Sequence, residues 1–130
     1  MNVTKLIPVI VYADIRRAHD FLVEVFGFDA GGVACDGAGR PVHGEVTAGD
    51  TTIWLHAISP NHRLDTPQGM PANHGGLVVR VPNVDEHFER VRAAGAKIES
   101  APMDQEYGQR EYGVSDPEGH RWWFATPTSA

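Results

Sequence analysis

The chain has 130 residues and a net charge of −6, enough length for one domain with a real core and a sign that disfavours nucleic acid and anionic membrane surfaces. No apolar run approaches the roughly 18 residues of a membrane span, and no basic-then-apolar leader precedes Leu6, so the expectation is a cytoplasmic protein. The lone Cys35 excludes an internal disulfide and a cysteine-built zinc cage. Lys5 to Ala13 is a continuous apolar run and predicts a strand with both faces covered, with Pro8 where the ladder needs no amide. Asp14 is placed to cap a helix whose apolar positions are Ile15, Ala18, Leu22, Val25 and Phe26, ended by Gly27. A short irregular strand follows over Phe28 to Ala34, then a glycine-rich loop to Pro41.

Val42 to Ala57 predicts a hairpin with Gly49-Asp50 at its tip. A two-residue loop sets Ala48 opposite Thr51, Glu45 opposite Trp54 and His43 opposite His56. His43, Glu45, Thr47, Thr52, Trp54 and His56 then share one face, which lines a wet cleft or meets bulk solvent. Val46, Ile53 and Leu55 form the core face. Residues 58–73 carry three prolines and no period, and predict a loop or linker. Gly75 to Val81 is a strand, Asn83 a cap, and Val84, Phe88, Val91 and Ala94 a helix ended by Gly95. Ala96 to Ser100 predicts a short strand. The last hairpin, Gly108 to Thr126, turns at Asp116-Pro117-Glu118-Gly119. A four-residue turn sets Ser115 opposite His120 and Tyr112 opposite Trp123. Arg110, Tyr112, Arg121 and Trp123 then share one face, with Trp122 and Phe124 on the other. His19, His62, His74, His87 and His120 fall on predicted helix surfaces, loops and turns, and are expected at the surface.

The second half repeats the first. A shift of 69 residues lays Val9–Asp14 on Val78–Asn83 and Ile53-Trp54-Leu55 on Trp122-Trp123-Phe124. The fold class expected is therefore α+β, built of two βαβββ modules: module one over 1–57, a linker over 58–73 and module two over 74–130 of a single domain.

With DPEGHRWWF, Gly27-Phe28, and Val84-Asp85 followed by Ala93-Ala94-Gly95-Ala96, the chain resembles the vicinal oxygen chelate superfamily of glyoxalase I, bleomycin-resistance proteins, fosfomycin-resistance enzymes and extradiol dioxygenases. The resemblance implies paired modules curled into a cleft, with helices outside. Metal-dependent relatives carry four ligand positions, which fall here on Ile7, Trp54, Gly76 and Trp123. None offers an imidazole, carboxylate or thiolate. No metal or other cofactor is therefore expected, and the resemblance is closest to the metal-free, bleomycin-resistance-like branch. That branch implies a homodimeric antibiotic-binding protein for a planar small molecule. Candidate ligand-binding residues are Trp54, Trp123 and Tyr112 for stacking, Glu45, His43 and His56 in the first hairpin, and Arg110, Arg121 and Tyr107 in the second half. Arg110 and Arg121 would suit a carboxylate or phosphate. The alternative is a metal-dependent lyase, isomerase or dioxygenase using an off-position site of His43, Glu45 and His56. No nucleophile triad or phosphate loop is visible, and no catalytic residue is assigned.

Overall fold

The structure is a computed structural model that describes residues 2–128. The chain divides between Thr66 and Pro67 into two compact units.

The first unit runs β1 (Val9–Tyr12), α1 (Ile15–Glu24), β2 (Asp29–Cys35), β3 (Pro41–Ala48) and β4 (Thr51–Ala57). Its four strands pair in the order β1-β4-β3-β2, with β1 parallel to β4 and the rest antiparallel. The Asp14 carboxylate accepts the amide of Arg17 at 3.0 Å, satisfying one of the donors left open in the first helical turn. Gly27 leaves the helix at φ 87°, a left-handed conformation that a side chain would strain. Ile15, Ala18, Leu22 and Phe26 are buried with Val46, Ile53 and Leu55, each large side chain contributing about 1.5–3 kcal/mol. The hairpin register is the one expected: Ala48 opposite Thr51, Glu45 opposite Trp54, His43 opposite His56. β1 departs from expectation. It is a short edge strand rather than a strand covered on both faces, and Val9 is 47% exposed. Pro8 lies just before it and uses only its carbonyl, which accepts Trp54 N at 3.0 Å.

Between β4 and the next strand, residues 60–62 form one short 3-10 turn, closed by a bridge between Ser59 and Leu64.

The second unit runs β5 (Gly76–Arg80), α2 (Val84–Ala93), β6 (Lys97–Asp104), β7 (Gln109–Ser115) and β8 (Arg121–Pro127), in sheet order β5-β8-β7-β6. The repeat holds to the residue. Val9 pairs with Trp54 as Val78 pairs with Trp123, and α1 and α2 begin and end at equivalent positions. Asn83 caps α2 as Asp14 caps α1, accepting Glu86 N at 3.2 Å. β6 is longer than expected, continuing past Ser100 to Asp104. It is an edge strand with register shifts on both sides of Ser100, so Pro102 interrupts no central ladder.

The last hairpin differs from expectation by one residue. Residues 116–120 form the loop, Ser115 pairs with Arg121, and Tyr112 pairs with Phe124 rather than Trp123. The Asp116 carboxylate holds this five-residue loop together. Its Oδ1 accepts the amides of Glu118 at 3.0 Å and His120 at 3.1 Å, and its Oδ2 accepts the Trp122 indole N–H at 3.1 Å. A slip of one residue exchanges the two faces of a strand. Tyr112 therefore stacks on Phe124 at 5.6 Å beneath α2, fully buried beside Val114 and Trp122. His87, expected at the surface, instead packs 4.1 Å from Phe124 and hydrogen-bonds the Tyr112 hydroxyl at 2.6 Å.

Candidate functional site

In each unit the helix covers one face of the sheet, and the candidate site residues stand on the face away from it. On the first sheet these are Trp54, with its cross-strand neighbours Glu45 on β3 and Val9 on β1, and the pair His43 and His56. Trp54 is 39% exposed, and the His43 ring meets it edge-on at 5.4 Å. His43 Nε2 lies 3.5 Å from Glu45 Oε2. His56 does not join them. Its Nδ1 hydrogen-bonds the carbonyl of Ala57 at 2.6 Å, and its ring lies 6.2 Å from that of His62. Among the described residues no three His, Cys, Asp or Glu side chains gather as a metal-ligand set, so the off-position His43, Glu45 and His56 site does not form.

On the second sheet the equivalent indole has different neighbours. Trp123 pairs with Val78 on β5 and with Gly113 on β7, and Gly76 lies diagonally across β5. A Cβ on Gly76 would stand 2.6 Å from the indole Cζ3 and collide with the Arg121 carbonyl. A Cβ on Gly113 would stand 3.3 Å from Trp123 Nε1. The ring thus lies flat across three strands, from above β7 to above β5, because both positions lack a side chain. Arg121, two residues before it on β8, brings its guanidinium carbon 5.2 Å from the ring centroid, within cation–π range.

Two of the expected ligand-binding residues are elsewhere. Tyr112 is buried on the helix side and offers no face to a ligand. Burial also pushes its phenol well above the usual tyrosine range. Arg110, on the same side of β7, is ion-paired to Asp85 at the start of α2 and to Asp104 on β6, both at 3.2 Å. Both misplacements follow from the one-residue change in the loop. Tyr107 is 70% exposed in the turn between β6 and β7, and its hydroxyl donates to Glu111, which pushes the phenol upward. The shifted register brings in Glu111, Gly113 and Ser115, which share the face of Trp123 and had not been expected there. Ser115 donates to Glu99 Oε1 at 2.7 Å. That bond, ahead of the nearby charges of Lys97 and Arg121, holds the Glu99 carboxyl below its ordinary value. The Asp116 bonds that hold this loop were latent in the sequence, in an Asp placed six residues before a Trp.

The sequence profile of the glyoxalase/bleomycin resistance protein/dioxygenase superfamily matches residues 6–124. The chain belongs to this superfamily. Two four-stranded mixed sheets, each with one helix, are its α+β fold. Among solved structures, TioX from Micromonospora sp. ML1 is 31% identical with a TM-score of 0.76, over 96% of this chain and 99% of that one. TnmS3, an antibiotic-binding protein from Streptomyces sp. CB03234, is 25% identical with a TM-score of 0.74, over 98% of both chains. The uncharacterised protein Mb0911c of Mycobacterium bovis is 30% identical over 125 residues, covering 94% of this chain and 82% of its own. No helix among the described residues is long and apolar enough to cross a membrane.

Proposed function

We propose that this superfamily member binds and sequesters a planar small molecule of the antibiotic type and leaves it chemically unchanged. The observation that carries the reading is the pair of indoles. Trp54 and Trp123 occupy equivalent central positions on the helix-free faces of their sheets, the positions where the family resemblance implies the ligands of metal-dependent relatives. Indole is a poor metal donor and a good stacking surface, each aromatic contact contributing about 0.5–1.5 kcal/mol beyond burial. Glu45 and His43 beside Trp54, and Arg121 beside Trp123, supply polar groups next to the rings, and His56 and Tyr107 are included in the proposed binding set. The antibiotic-binding activity of TnmS3 supports the same reading.

Titration with planar antibiotics, followed by tryptophan fluorescence and by mass spectrometry of the recovered compound, tests it. Saturable quenching with unaltered compound is expected; turnover to a product would overturn it. The reading includes a homodimer, the assembly the family's resemblance implies. Light scattering at the mass of one chain would remove that part.

A further inference from the structure

The polar groups over Gly113 make a narrower statement about the ligand. A Cβ at that position would stand 2.9 Å from Ser100 Oγ, 3.3 Å from Trp123 Nε1 and 3.4 Å from Arg121 Nη2. Side-chain atoms from β6 and β8 therefore gather over one residue of β7. The indole N–H and the guanidinium can only donate. Ser100 Oγ accepts the Gly113 amide at 2.9 Å, which leaves its own proton to donate. Arg121 Nε is buried and has no hydrogen-bond partner among the described residues. Arg40, Arg92 and Arg110, by contrast, are each ion-paired. Glu99, the carboxylate that feels the Arg121 charge, is held by Ser115 at 2.7 Å and by Lys97 at 3.7 Å. A buried donor without an acceptor is a cost to the fold, and it shows that no protein acceptor holds the guanidinium through that nitrogen.

We propose that Arg121, Trp123 Nε1 and Ser100 form an acceptor-oxygen subsite that selects planar aromatic ligands bearing a carboxylate. The guanidinium presents a planar fork that matches a carboxylate, and the adjoining indole carries the aromatic part of the same ligand. The net negative charge of the chain does not oppose this, because short-range donors at a fixed site outweigh a field screened over about 10 Å. The inference deepens the sequestering reading above and rests on it.

Isothermal titration calorimetry with naphthoate, its neutral isostere naphthamide and naphthylmethylammonium separates the two. Naphthoate should bind at least about tenfold more tightly than naphthamide, as for a hydrogen bond to a charged group, with the ammonium weakest. Arg121→Gln should bring the ratio of naphthoate to naphthamide affinity close to one. Should that variant fail to fold, Trp123→Phe, which removes the indole N–H and keeps a ring, must narrow the preference. Equal binding of all three probes, or a preference that survives both substitutions, overturns the subsite and leaves sequestration standing. No binding of any probe overturns both.

Discussion

Asp116 Oδ2 accepts the indole N–H of Trp122 at 3.1 Å, a bond that ties the loop to the side of β8 buried beneath α2. Trp122 and Phe124 go to the helix; Arg121 and Trp123 go to the opposite face.

Replacing Asp116 should therefore cost both stability and site geometry. Asp116→Ala removes the acceptor for two amides and one indole and should destabilise by about 3 kcal/mol. Asp116→Asn, which keeps one carbonyl oxygen, should cost less. Urea unfolding measures both, and a midpoint unchanged in the alanine variant would mean that the loop keeps its register without the carboxylate.

The indole of Trp123 lies flat only because residues 76 and 113 are glycine. Gly76→Ala places a methyl group against both the ring and the Arg121 carbonyl, an overpacking cost of about 1–3 kcal/mol. The expected readout is a shifted tryptophan emission maximum with weakened ligand quenching. Wild-type emission and affinity in this variant would contradict the flat placement.

Tyr112 should make stability fall in alkali. Its folded-state phenol is raised by burial above the ordinary tyrosine value of about 10. The folded state then holds the proton more tightly than the unfolded chain. That contribution is complete below pH of about 10 and is lost as pH rises through the folded value. Tyr112→Phe should flatten this alkaline decline and, by leaving His87 without its 2.6 Å partner, cost about 1 kcal/mol at neutral pH. Thermal melts across pH, with phenolate absorbance, check both. An alkaline decline identical in the variant would assign it to other groups.

Ligand affinity should separate the two faces of the sheets. Trp54→Ala should weaken binding of a planar ligand by about 2–10-fold, the loss of one aromatic contact. Arg110→Ala should leave it unchanged, since that guanidinium is engaged by Asp85 and Asp104 on the helix side. The same calorimetric titration measures both. Weaker binding in the Arg110 variant would mean that it reaches the ligand after all.

The sequence by itself determined the repeated element order, both helix caps and the register of the first hairpin. Each is local: Asp14 and Asn83 bond to amides three residues on, and the two-residue loop Gly49-Asp50 leaves one way to align β3 with β4. The register of the last hairpin was decided only in the tertiary structure. Loops of four and five residues fit the same Asp-Pro-Glu-Gly signal, and they send Tyr112 and Arg110 to opposite sides. What chose between them was the burial of Tyr112 and Val114 beside Trp122 and Phe124 beneath α2, together with an indole N–H that needed the Asp116 carboxylate once it was out of water.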